Sequence, residues 1–114
     1  MIEVVTGLAL LFAPAVPLEL LLGVRQSVPE TMLVSRVAGA ALLALGIASW
    51  CGGSSDRNPA LLGLLAGLLA YDASVAAILV YAAVDLNLDG VALWPAVVLH
   101  SVMAAWCGLC LSSK

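Results

Sequence analysis

The chain has 114 residues, of which 64% are hydrophobic and 10% charged, and its mean hydropathy is +1.18. A soluble domain of this size cannot bury so much apolar surface, so the composition points to a membrane. The formal net charge of -3, with no basic cluster, argues against nucleic acid as a partner and against capture by anionic lipid headgroups.

The apolar residues fall into four blocks, 2–24, 31–51, 59–84 and 91–111. Each is near the ~20 residues that cross a bilayer core of ~30 Å. The links GVRQSVPE, GGSSDRN and DLNLDG hold most of the turn chemistry. The expected fold class is all-α: an integral membrane four-helix bundle with short loops, one domain over residues 1–114, with helices at about 2–22, 31–51, 59–84 and 91–111. The bilayer itself is then the first partner.

The first helix starts Met1, Ile2, Glu3, with no basic residue ahead of its apolar run, which argues against a cleaved signal peptide. Pro14 and Pro17 in APAVPLE each remove a backbone hydrogen bond. A span kinked at these prolines and reaching Leu22 is expected. The alternative is a shorter span followed by an interfacial segment over 17–24.

The second helix follows Pro29, with Glu30 and Thr31 giving it a polar start, and runs to Trp50, a residue suited to the interface. Ser35, Gly39, Leu42, Gly46 and Ser49 form a narrow stripe. Gly39 and Gly46 on it let another backbone approach closely, within the bundle or at an oligomer interface.

The third helix begins at Pro59, a suitable first-turn residue. Gly63 and Gly67 form a small-xxx-small pair, and the stripe continues through Ala70, Ser74, Ala77 and Tyr81. Asp72 is the only charge in this span. An ionised carboxylate in lipid is costly, so such a residue faces a protein interior or a wet cavity and has a partner. At 100° per residue, the small stripe lies roughly 140–200° from Asp72. Asp72 instead shares its face with Leu65, Leu68, Leu69, Val75, Ala76 and Leu79. Four helices cannot easily bury both faces. Gly63, Gly67, Ala70 and Ser74 are therefore candidates for an interface with a second copy or another membrane subunit; a lipid-facing small stripe is the plainer alternative.

The fourth helix carries Trp94 and Pro95 at its start, His100 in its middle and Trp106 near its end. Counting ~1.5 Å per residue from the side opposite the termini, Glu19 lies ~5 Å deep, Arg36 ~8 Å, His100 ~14 Å and Asp72 ~18 Å. These depths predict one polar cavity or ligand-binding site made by Asp72, His100 and Arg36, with Glu19 at its mouth. The plainer readings are a snorkelling Arg36, an interfacial Glu19 and a histidine satisfied inside the bundle. An even number of helices places both termini on one side, with Arg57 and Lys114 against Arg25 opposite, which leans towards cytoplasmic termini.

Cys107 and Cys110 form WCGLC, the spacing of a redox dithiol. Here they end a helix, where neither a cation nor the helix dipole activates a thiol, so buried small apolar residues are the alternative. A metal site is conceivable from Cys51, Cys107 and Cys110. His100 is too far along the helix, about 10 Å from Cys107, to join easily. Three thiolates in lipid would be costly without the metal, so no metal is assigned. A lone histidine rules out bis-histidine haem within one chain. No nucleophile set for hydrolysis or phosphoryl transfer is present, so no catalytic residue is named and an enzyme is not the leading expectation.

The phrases TGLALLFAP with LLLGV, SRVAGAALLALGIASW, LLAYDASVAAILVY and LWPAVVLH cover most of the chain. Together they resemble small uncharacterised bacterial DoxX-like four-helix membrane proteins. The resemblance implies a bacterial inner-membrane protein. Its better-studied relatives are linked to quinone-dependent sulfur oxidation, usually as subunits, and no catalytic set from them maps onto this chain. Ala96 and His100 also show the Ala-xxx-His spacing of bacteriochlorophyll-binding helices. Quinone or pigment thus stays open as a cofactor, and the sequence requires neither. Small multidrug transporters have a similar length, but their acidic residue lies in the first helix. Three functions follow: a non-catalytic subunit or accessory protein of a membrane complex or homo-oligomer, a quinone- or thiol-linked redox subunit, and a proton-coupled small-molecule transporter.

Overall fold

The computed structural model describes residues 1–23, 28–52 and 58–113, all-helical in their regular structure. Arg25, Arg57 and Lys114, on which the orientation expectation rests, lie outside these residues. The helices are α1 (Ile2–Phe12), α2 (Ala15–Leu22), α3 (Pro29–Cys51), α4 (Pro59–Val84) and α5 (Leu93–Ser112). The last three are long and apolar enough to cross a membrane, which marks the chain as an integral membrane protein.

The kinked first span is replaced by two helices that meet at 114°. The cause is local. A residue before proline is pushed out of the helical region, and Ala13 stands at φ -135° and ψ 58°. Pro14 then precedes α2, and Pro17 falls in its first turn, where a missing N–H leaves no helical bond unmade. α1 is ~16 Å long and α2 ~12 Å, so neither spans alone. Gly23 ends α2 at φ 70°, and its backbone N–H donates to the Glu19 carbonyl, a left-handed glycine cap.

α3 starts two residues earlier than expected because Pro29 takes the first helical position. α4 has the expected bounds. Asn58 caps it, its side-chain oxygen accepting from the Leu61 N–H at 2.9 Å, which is worth about 1 kcal/mol. α5 starts two residues later than expected, because the Leu93 N–H donates to the Gly90 carbonyl in a turn. Leu93 is fully buried at that corner.

Two helix pairs carry the packing: α1 lies along α3, and α4 along α5. In the first pair Gly7 meets Gly39. A Cβ on Gly7 would lie 2.8 Å from the Gly39 carbonyl oxygen, and one on Gly39 would lie 2.7 Å from the Gly7 oxygen. Gly46 comes equally close to Val4. The small stripe on α3 is thus filled from within the chain, by α1. Where lipid rather than water surrounds a helix, such close approach is a main source of association. α2 bridges the pairs. The Ala92 N–H donates to the Leu20 carbonyl at 2.8 Å, and Gly90 lies so close to the Leu21 backbone that no Cβ fits between them.

The molecule is flattened, 47 × 28 × 18 Å. Few side chains are buried, and the exposed set includes Val34, Val37, Ile47, Val98 and Val102. Such a surface suits lipid or other membrane subunits as its surroundings.

Candidate functional site

The burial of α4 follows the helical wheel. Leu65, Leu68, Leu69, Val75 and Ala76 are half-buried and Leu79 is buried, on the face that holds Asp72. Gly63, Gly67, Ala70 and Ser74 are exposed on the other, and a Cβ on either glycine would meet nothing within 4 Å.

Asp72, 4% exposed, faces α5. Its Oδ1 and the Nδ1 of His100 are hydrogen-bonded at 2.7 Å. Among the described residues this is the only side-chain hydrogen bond of Asp72. The pair explains how a carboxyl group is held mid-span: the imidazole supplies the hydrogen-bond partner that a buried polar group needs. Tyr71 adds an aromatic wall, its ring T-shaped to His100 with centroids 5.9 Å apart.

The pair opens on a cavity of about 140 Å³ between the two helix pairs. Ile2, Glu3 and Thr6 of α1, Leu21 of α2 and Leu42 of α3 form one wall. Tyr71 and Asp72 of α4 face them, with Ala96, Leu99, His100 and Met103 of α5. Glu3 is matched locally, since the N-terminal amine of Met1 donates to its Oε2 at 3.2 Å.

Of the four residues expected in one cavity, Asp72 and His100 come together and the other two do not. Arg36 is exposed and forms no ion pair with Asp72. It stands about 120° around α3 from Leu42, the residue that α3 sends to the cavity. Its depth was compatible, but its direction was not. Glu19 lies in a separate cleft with Asp89 and Gly90, where α2 meets the start of α5. The acid at the cavity is Glu3 instead, carried there by α1, which packs along α3 through Gly7 and Gly39. Tyr71, Thr6 and Glu3 are site residues that the sequence reading did not single out. Tyr71 had a signal, as a hydroxyl-bearing ring next to the only acid in its span.

Cys51 is exposed, Cys107 buried and Cys110 half-buried, and none is in a disulfide. No group of three His, Cys, Asp or Glu residues that could hold a metal occurs among the described residues. Ser35, Ser49 and Ser101 return their hydroxyls to carbonyls one turn back, at 2.8 Å, and so satisfy themselves within their helices.

No known protein family, curated protein or solved structure matches this chain. The site therefore has to be read from its own chemistry.

Proposed function

We propose that this chain is a non-catalytic subunit of a membrane assembly, a homo-oligomer in its simplest form, built around an intramembrane centre at Asp72 and His100. The observation that carries the reading is the 2.7 Å bond between these two side chains inside an otherwise apolar span, facing a cavity. Buried ionisable residues in membrane helices are kept where they act on a proton, an ion or a ligand. The subunit part is supported by Gly63 and Gly67, whose face is open while the acidic face is filled from within the chain.

The four-helix reading treats α1 and α2 as one broken span. Val4 lies against Gly46 near the end of α3, and Leu20 bonds Ala92 at the start of α5. The end of α3 and the start of α5 are opposite ends of an up-down-up run. The bent pair thus carries the chain between those ends. This supports both termini lying on one side of the membrane. The DoxX-like phrases favour a bacterial inner-membrane protein, and the sequence positions of Arg57 and Lys114 against Arg25 favour the cytoplasmic side.

A second reading, a proton-coupled small-molecule transporter, is favoured by the cavity beside the pair. The quinone- or thiol-linked redox reading rests on the DoxX resemblance and the WCGLC spacing.

Native mass measurement in detergent tests the subunit reading. The expected result is a defined oligomer or complex, reduced to single chains when Gly63 and Gly67 are both changed to Leu. A monomeric parent would overturn it. The centre is tested by the ring ¹⁵N resonances of His100, which Asp72→Asn and Asp72→Leu should both shift; unchanged resonances would remove Asp72 as its partner.

A further inference from the structure

The geometry points to a specific use of the cavity: it takes a small monovalent organic cation, which displaces one proton from the Asp72–His100 pair. The inference rests on the reading of that pair as the working centre, and names its ligand class.

The first argument is charge. Among the described residues, Glu3 and Asp72 both line the cavity, and no lysine or arginine does. Glu3 is matched by the Met1 amine, which leaves Asp72 as the acid without a permanent counter-charge. In surroundings of low polarity a lone carboxylate is costly, so the site must be neutralised. A proton on the pair does this, and so does a cation beside the Asp72 carboxylate. Both together would leave a net positive charge in an apolar pocket. The two are therefore exclusive: as the cation enters, one proton leaves the pair for bulk water, and the charge of the site stays at zero. No bond other than N–H or O–H is broken.

The other titratable groups near the pair do not alter this balance. Among the described residues, Tyr71 on α4 and His100 on α5 are the remaining ones in the cavity lining, while α2 and α3 contribute Leu21 and Leu42. Cys107, buried further along the face of α5 that holds His100, completes the set.

The second argument is shape. A cavity of about 150 Å³ holds benzene, six heavy atoms, and this one has about 140 Å³. Its apolar wall of Leu42, Leu99 and Met103 suits methyl groups, and the Tyr71 ring offers a surface on which a quaternary ammonium gains attraction. An inorganic cation would find too few oxygen ligands here. An anion would meet two acids.

The test uses choline and its uncharged isostere 3,3-dimethyl-1-butanol as probes, titrated calorimetrically into the intact protein in lipid nanodiscs. Repeating the titration in buffers of different ionisation enthalpy counts protons. The expected result is choline binding with release of about one proton per cation, and an isostere that binds at least about tenfold more weakly. Asp72→Asn should abolish proton release and weaken choline by about tenfold or more. Leu42→Phe, which fills the cavity but keeps both members of the pair, should abolish choline binding while the His100 ¹⁵N resonances still respond to Asp72 substitution. It serves as the deciding variant if Asp72→Asn does not fold. Equal binding of the two probes, choline binding without proton release, or no choline binding overturns the inference. In each of those cases, parent His100 resonances that still respond to Asp72 substitution leave the underlying centre standing.

Discussion

Gly7 and Gly39 touch backbone to backbone, with room for hydrogen but not for a methyl group on either side. This contact fixes α1 on α3 and so places Glu3 and Thr6 at the cavity. Gly39→Ala puts a Cβ 2.7 Å from a carbonyl oxygen, so the helices must separate. The expected loss is about 1–3 kcal/mol, the usual range for overpacking, seen as a lower midpoint in denaturant titration of the detergent-solubilised protein. Gly63→Ala, with nothing near it, should shift the single-chain midpoint by less than about 0.5 kcal/mol.

Asp72 and His100 should be coupled energetically. His100→Ala or Asp72→Ala alone leaves a partner unsatisfied, at about 1–3 kcal/mol. The double variant should cost less than the sum, with a coupling of about 0.5–3 kcal/mol in a double-mutant cycle. Simple additivity of the two changes would contradict the 2.7 Å bond.

Arg36→Gln should leave the His100 ring resonances unchanged, because Arg36 points away from the cavity. A shift as large as that from Asp72→Asn would restore Arg36 to the site.

The bend between α1 and α2 depends on a tight corner. Gly90→Ala drives a methyl group into the Leu21 backbone. The expected consequence is loss of the Ala92–Leu20 bond and release of α2, read as faster amide exchange over Leu18 to Gly23.

The thiols give a check on burial. Maleimide in detergent should modify Cys51 first and Cys107, 3% exposed, last, as followed by mass spectrometry. Equal rates would argue against the packing of α5 on α4.

Much of this was readable in advance, for identifiable reasons. The bounds of α4 follow from Asn58, Pro59 and an unbroken apolar run, and the inward direction of Asp72 follows from its place opposite the glycines. Arg36 was misjudged because counting residues along a helix yields depth but not azimuth, and azimuth is set by the Gly7–Gly39 contact between distant segments. The severity of the break at Pro14 depends on where α2 finds a hold, and that hold is the Gly90 corner some seventy residues on.

The division into two helix pairs has its own outcome. Asp72 and His100 sit on α4 and α5, in the same pair, whereas Glu3, Thr6 and Leu42 sit on the other. If the pairs slide or part, the hydrogen bond travels as one piece and only the opposite wall moves. The chemistry of the centre is thereby insulated from the dimensions of the space beside it, so occupants of different size can face the same unchanged carboxylate and imidazole.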